Sequence, residues 1–332
     1  LSVLYSARDC GWAVVRPHNA AGRLQHLPIT TMIARWQRIL LLCILLTMAA
    51  WLVWQWPHSP WHAVLGALMP LGIYLVVMAV EFVLMHITNR TDAAPRARLS
   101  QVVGAWWAEV WVALMVFCWR QPFRSASCPD WLPATPTGRR GVVLVHGFLC
   151  NRGVWLSWMA PLRAGGHAFV AVNLEPVFGP IDGYVAQIEA AVRRVTEATG
   201  QPPVLIGHSM GGLAARAWLR AAAQTDAQAD ARIHGAITLG TPHAGTWWGR
   251  YSRAPNGQQM RLHSDWLAQL QRQEPPQRAA LFTCWYSNCD NIVFPASTAA
   301  LPGAHHRLIG GVGHMQMASH PQVMQACLQA LD

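Results

Sequence analysis

The chain has 332 residues, 12% of them charged and 53% hydrophobic, a balance that excludes intrinsic disorder and is compatible with partial membrane character. Its formal charge of +10 comes entirely from arginine, because lysine is absent; the arginines are scattered and interleave with no aromatic run, so they read as solvated surface and membrane flanks rather than a nucleic-acid site. The eight cysteines show neither the paired nor the Cys/His spacing of a zinc site, so no metal or other cofactor is expected. Most thiols are read as reduced and buried, with Cys284 and Cys289 close enough in sequence to form a bridge.

Residues 1–31 mix Arg, His, Pro and Gly without periodicity and read as an irregular arm or a non-native extension. Residues 32–119 form an apolar helical region. The run ILLLCILLTMAAWLVW (39–54) carries no charge, and AVLGALMPLGIYLVVMAV (63–80) runs uncharged up to Glu81. Each is about the minimum length for a hydrocarbon core of roughly 30 Å, so one reading is a membrane hairpin over residues 36–86. Trp51, Trp54, Trp56 and Trp61 cluster at its turn, while Arg35, Arg38, Arg90, Arg96 and Arg98 flank its outer ends. That asymmetry turns both ends toward the cytoplasm, as in a bacterial inner membrane. The other reading is a soluble helical cover over the active site, favoured by Pro70 and by the shortness of the first run. A third apolar segment, Val102 to Trp119, is interrupted by Glu109 and is open between interfacial helix, core helix and further span.

Residues 120–140 hold four prolines and no periodicity, which reads as a linker. From 141 to 332 the pattern becomes alternating strands and helices. Strands are predicted over 141–147, 167–175, 203–207, 233–240, 280–287 and 306–312. Helices are predicted over 181–200, from Met210 to about Ala223, and from about Pro321. Such alternation of β-rich apolar runs with helices predicts a mainly parallel α/β sheet covered on both faces.

Within that domain, LIGHSMGGLAAR (205–216) places Gly-x-Ser-x-Gly between a strand and a helix. The sharp turn needs Gly207 and Gly211, whose missing side chains would otherwise collide, and it holds Ser209 at the strand end beside a helix N-terminus. A serine nucleophile requires a base, and the base an orienting acid. Here the chain resembles the α/β-hydrolase superfamily, and within it bacterial lipases and carboxylesterases. The resemblance covers residues 138–332. It rests on His146-Gly147-Phe148, on Gly207-His208-Ser209-Met210-Gly211, on LGTPHAGT (239–246), and on the late Asp290 and His314.

The superfamily order of nucleophile, acid and histidine implies Ser209, Asp290 and His314 as the triad. Asp290 is the one acid between Ser209 and His314 that directly follows an apolar strand. The backbone N–H groups of Phe148 and Met210 would form the oxyanion hole, while His146 and His208 belong to the supporting motifs. An insertion at 247–279 carries Trp247, Trp248 and Trp266, which could line an acyl pocket or simply pack. The implied activity is a serine hydrolase acting on small-molecule or lipid carboxylic esters. An acyltransferase or phospholipase on the same fold is the second possibility, and a membrane-anchored binding module without catalysis the third.

Overall fold

The computed structural model describes residues 31–331. The arm expected over residues 1–31 lies outside them except for Thr31, whose hydroxyl caps the first helix by accepting from the Ala34 N–H at 3.4 Å. Helix α1 (Met32–Gln55) and helix α2 (Pro60–Thr88) form an antiparallel pair. Its turn is exposed, with Trp54, Trp56 and Trp61 among the bared side chains. The pair meets the rest of the described chain away from that turn, at its base and as far up α2 as Tyr74, whose hydroxyl donates to the Val110 carbonyl at 2.9 Å. There Ile33 and Ala34 are buried, and Met78, Phe82 and Met85 pack on helix α3 (Leu99–Met115) through Val102, Ala105 and Val110. By length and apolar composition, three helices here could cross a membrane.

The third segment has two different sides. Leu99, Val103, Trp107, Trp111, Met115, Trp119 and Phe123 are exposed, which at four-residue spacing is one stripe along the helix. Val102, Ala105, Glu109, Val110 and Ala113 are buried on the other side. The buried side lies along the rest of the protein from Gln101, beside Gly310 and Gly311, to Gln121, whose carbonyl accepts from the Asn151 side chain at 3.1 Å. The helix is thus packed lengthwise, with a third of its most apolar stretch buried in protein.

The segment expected as a linker starts inside a helix: α3 continues as wider π-type turns through Val116–Arg124, around Pro122, which lacks the N–H that a regular turn needs. Further along, Trp131 exchanges backbone bonds of 3.0 and 2.8 Å with Phe169 and so covers a sheet edge.

The remaining chain forms six parallel strands: β1 (Val142–Val145), β2 (Phe169–Ala171), β3 (Val204–His208), β4 (Gly235–Leu239), β5 (Phe282–Tyr286) and β6 (His305–Leu308), in the order β2-β1-β3-β4-β5-β6. Helix α4 (Leu156–Ala164) follows β1, α5 (Val185–Thr199) follows β2, and α6 (Met210–Ala222) follows β3. The insertion holds α7 (Pro255–Gln259) and α8 (Asp265–Gln273); the chain closes with the short α9 (His314–Met317) and α10 (Pro321–Gln329). Side chains of β1 and β3 alternate between two cores, as a doubly covered sheet requires. Val143, Val145 and Leu205 face α5 and α6, while Val142, Leu144, Val204 and Ile206 face α4 and α10.

The edge strands are shorter than the apolar runs. Beyond Ala171 the chain leaves the sheet because its polar groups are used elsewhere: Asn173 accepts from Arg152 N–H at 3.0 Å, and Leu174 N–H donates to His146 Nε2 at 2.9 Å. Beyond β6, Gly311 turns the chain at φ 75° toward His314. Cys284 and Cys289 are free thiols, so the possible bridge is not formed.

The insertion is fixed to α6 by a buried ion pair. Arg216, 1% exposed, donates from Nε to Glu274 Oε1 at 3.0 Å and from Nη2 to Oε2 at 2.6 Å, a two-pronged geometry that suits guanidinium and carboxylate. Arg216→Ala strands the Glu274 carboxylate and is expected to cost about 3–5 kcal/mol of stability in chemical denaturation.

Candidate active site

The sequence-predicted residues gather at the carboxyl ends of the strands, where a parallel sheet presents its loops. Ser209 joins β3 to α6 at φ 55° and ψ −127°, a backbone conformation rarely adopted by a residue with a side chain. Close packing forces it. A Cβ on Gly207 would stand 2.6 Å from the Gly212 nitrogen, and one on Gly211 2.2 Å from the Val145 carbonyl oxygen. The serine backbone is held in turn by β4 and the loop after it: Ser209 N–H donates to the Leu239 carbonyl at 2.9 Å, and the Thr241 hydroxyl to the Ser209 carbonyl at 2.8 Å.

The loop after β1 passes directly over this serine, since a Cβ on Gly147 would lie 3.3 Å from Ser209 Oγ. Phe148 follows Gly147, and Met210 opens α6, so both residues expected at the oxyanion hole flank Ser209. His146 braces the loop. Its Nε2 accepts from Leu174 N–H at 2.9 Å, so the ring proton is on Nδ1, which donates to the Gly147 carbonyl at 2.9 Å. Burial pushes this ring down to about 4, so it stays neutral.

Asp290 and His314 meet next to His208, the residue before the serine. His314 Nδ1 lies 2.9 Å from Asp290 Oδ2, and Asp290 Oδ1 accepts from the N–H groups of Ile292 and Val293 at 3.0 and 2.7 Å. Gly240 makes room for the pair, as a Cβ there would be 2.8 Å from Asp290 Oδ2. Burial disfavours the charged His314 ring, but the charge and hydrogen bond of Asp290 outweigh it, with Glu109 and Glu81 adding, and hold the ring above its ordinary value. His208 packs its ring on His314 with centroids 4.6 Å apart and donates from Nε2 to the His314 carbonyl at 3.1 Å. Burial first, and the His314 charge second, push His208 down to about 3. With Nδ1–H committed to Asp290, the His314 ring keeps Nε2 as its basic nitrogen.

The three tryptophans of the insertion separate. Trp247 and Trp248 stand against Phe294, with centroids 5.7 and 6.2 Å away, and Trp248 Nε1 donates to the Asn291 carbonyl at 3.1 Å. They tie the insertion to the Asp290 loop and to α2. Trp266 donates to Asp182 at 2.8 Å and lies under Arg220, near the far end of α6 and roughly 15 Å along its axis from Ser209. It is therefore not a pocket residue. The apolar groups beside Phe148 come from elsewhere: Phe178 is 5.8 Å from Phe148, and Trp36 of α1 is 5.7 Å from Phe178.

Sequence reasoning also missed Asn291 and Glu109, which bind the His314 loop, and Glu81, which binds Asn291. The signal for the two acids was present, as lone carboxylates in or at the end of apolar segments. A cavity of about 400 Å³ at the base of α2 is lined by residues that include Arg90, Arg96 and Asn288, and by none of Ser209, Asp290 and His314. Among the described residues, no group of three or more His, Cys, Asp or Glu could hold a metal.

A family model described as "Alpha/beta hydrolase family" matches residues 142–324. No curated protein matches the sequence. Among solved structures, the mature form of lipase BlEst2 from Bacillus licheniformis aligns at TM-score 0.52 and 16% identity, over 61% of this chain and 96% of its own. The propeptide form aligns at 0.51 and 17%, over 61% and 52%. Lipase B of Aspergillus fumigatus aligns at 0.50 and 15%, over 63% and 56%. The chain thus spans about half the length of the last two, and at such identities the likeness is one of fold. An NMR titration is expected to place the His314 ring above 6.5, the ordinary value, and to move it down in Asp290→Asn.

Proposed function

Because the chain belongs to the alpha/beta hydrolase family, we propose that it hydrolyses carboxylic esters with Ser209 as nucleophile, His314 as base and Asp290 as the acid that orients the base. The observation that carries this reading is the buried His314–Asp290 pair, whose ring packs on His208, next in sequence to a serine held at φ 55°. Ser209 Oγ attacks the ester carbonyl as its proton passes to His314 Nε2. The N–H groups of Phe148 and Met210 stabilise the tetrahedral oxyanion, and the protonated ring then gives its proton to the leaving alcohol. Water, deprotonated by the same ring, attacks the acyl-enzyme and releases the acid.

The N-terminal helices support a membrane location for this chemistry. Helix α1 has 24 residues and α2 has 29, lengths of roughly 36 and 44 Å at 1.5 Å per residue against a hydrocarbon core of roughly 30 Å. None of the most apolar stretch of α1 is buried in protein. With the hairpin inserted, the tryptophan stripe of α3 lies at the bilayer surface, where indole rings are favoured. The α/β domain then sits at the hairpin base on the arginine-rich, cytoplasmic side.

A second reading keeps the triad and makes a lipid the substrate, by phospholipid cleavage or acyl transfer to a membrane alcohol. It is favoured by the aromatic succession Phe148–Phe178–Trp36, which joins the oxyanion loop to the first turns of α1. Ser209→Ala is expected to abolish turnover of p-nitrophenyl esters and labelling by a fluorophosphonate probe; turnover retained in that variant contradicts the proposal. On vesicle-embedded lipid esters, release of free acid supports hydrolysis, and appearance of a new ester supports transfer.

A further inference from the structure

Glu109 is the charged residue inside the third apolar segment, and the chemistry above makes no use of it. It is 1% exposed and belongs to α3, outside the residues 142–324 that match the family. A buried carboxylate needs donors around it. Glu109 finds them in the backbone that immediately follows His314: Oε1 accepts from Met315 N–H at 2.7 Å and Oε2 from Gln316 N–H at 2.8 Å. The approach requires Gly313, since a Cβ there would lie 2.5 Å from Glu109 Oε2.

The neighbouring contacts complete the arrangement. His314 N–H donates to Asn291 Oδ1 at 3.2 Å, and the Asn291 amide donates to Glu81 Oε2 of α2 at 2.7 Å. Three successive N–H groups, 314 to 316, are thus held by side chains. Two of the bonds come directly from α3, and the third from an asparagine that α2 fixes. With Nδ1 on Asp290 and the carbonyl on His208, the orientation of His314 is determined from every side but that of its Nε2.

We propose, resting on the reading of His314 as the base, that Glu109 is a positioning residue for that base, so that the N-terminal helical region is part of the active site. Four titratable groups face the His314 ring: Asp290 from the loop after β5, Glu109 from α3, Glu81 from α2, and His208 from the end of β3, which burial keeps neutral. The three acids favour the protonated ring, against burial; burial in turn raises Glu109 to about 7, so carboxyl and ring titrate as a coupled pair, and Glu109 acts on the ring only while ionised. Neutralising Glu109 therefore lowers the ring's pKa. Because the ring must be deprotonated to act as base, the acid limb of kcat/KM then moves to lower pH.

The test uses the full chain in detergent with p-nitrophenyl esters, active sites being counted by a fluorophosphonate probe. In Glu109→Gln, kcat per labelled site is expected to fall roughly 10- to 100-fold with KM nearly unchanged, as displacement of a catalytic group predicts, and the acid limb to shift downward. Glu109→Asp keeps the charge but is one methylene short of bridging both N–H groups; its kcat is expected to fall with the limb in place. If Glu109→Gln yields fewer labelled sites of unchanged kcat and unchanged limb, Glu109 merely secures α3 and the proposal is overturned. Should Glu109→Gln fail to fold, Glu109→Asp decides, and wild-type kcat per site in that variant overturns the proposal. Turnover retained in Ser209→Ala, by contrast, sinks the functional reading itself, an outcome that the Glu109 variants cannot imitate.

Discussion

Ser209 is a residue with a side chain held at φ 55° and ψ −127°, a conformation that costs on the order of 1–3 kcal/mol and persists only where its surroundings impose it. They do so here with backbone and one side chain. The Val145 carbonyl closes on Gly211, the Leu239 carbonyl takes the serine N–H, and the Thr241 hydroxyl takes its carbonyl. Three strands must therefore be in register before the serine can stand at the carboxyl end of β3. The rest of the candidate site is arranged around that point: the Gly147 loop above it, the His314–Asp290 pair next to His208 and Gly240, and α6 beginning at the next residue.

The dryness of the site gives its histidines different states. His146 and His208 are pushed far down by burial and stay neutral, so each can donate from one ring nitrogen to a backbone carbonyl. His314 is equally buried, but the acids around it more than offset that burial. The same burial thus produces two structural imidazoles and one basic one. What separates them is the placement of carboxylates, because a negative charge nearby acts strongly where water is excluded.

The N-terminal helices have two chemistries on opposite sides. Outward, α1, α2 and α3 present large apolar side chains in numbers uncommon on a protein bathed in water. Inward, α2 brings Glu81 to Asn291 and α3 brings Glu109 to the His314 loop. A carboxylate in an apolar helix is costly in lipid and tolerable where backbone donors meet it. The two glutamates therefore mark the side of the helices that faces protein.

Much of the α/β domain was legible in the sequence, because its signals are local. Apolar β-rich runs, a terminal glycine on the helix before β3, and glycines two residues either side of Ser209 each reflect steric requirements within a few residues. The Asp290–His314 pairing followed from the order of motifs along the chain, and the structure brings the two side chains to 2.9 Å. Only tertiary structure could decide which tryptophans approach the site. Trp247, Trp248 and Trp266 look alike as residue types in one insertion, yet packing directs two toward the Asp290 loop and the third toward Arg220. It also decided the side of Glu109. In sequence this residue is a flaw in an apolar run; in the fold it bonds to backbone 206 and 207 residues away. No local pattern encodes so distant a contact, because what selects it is the pair of unsatisfied N–H groups that the His314 turn presents once the sheet has formed.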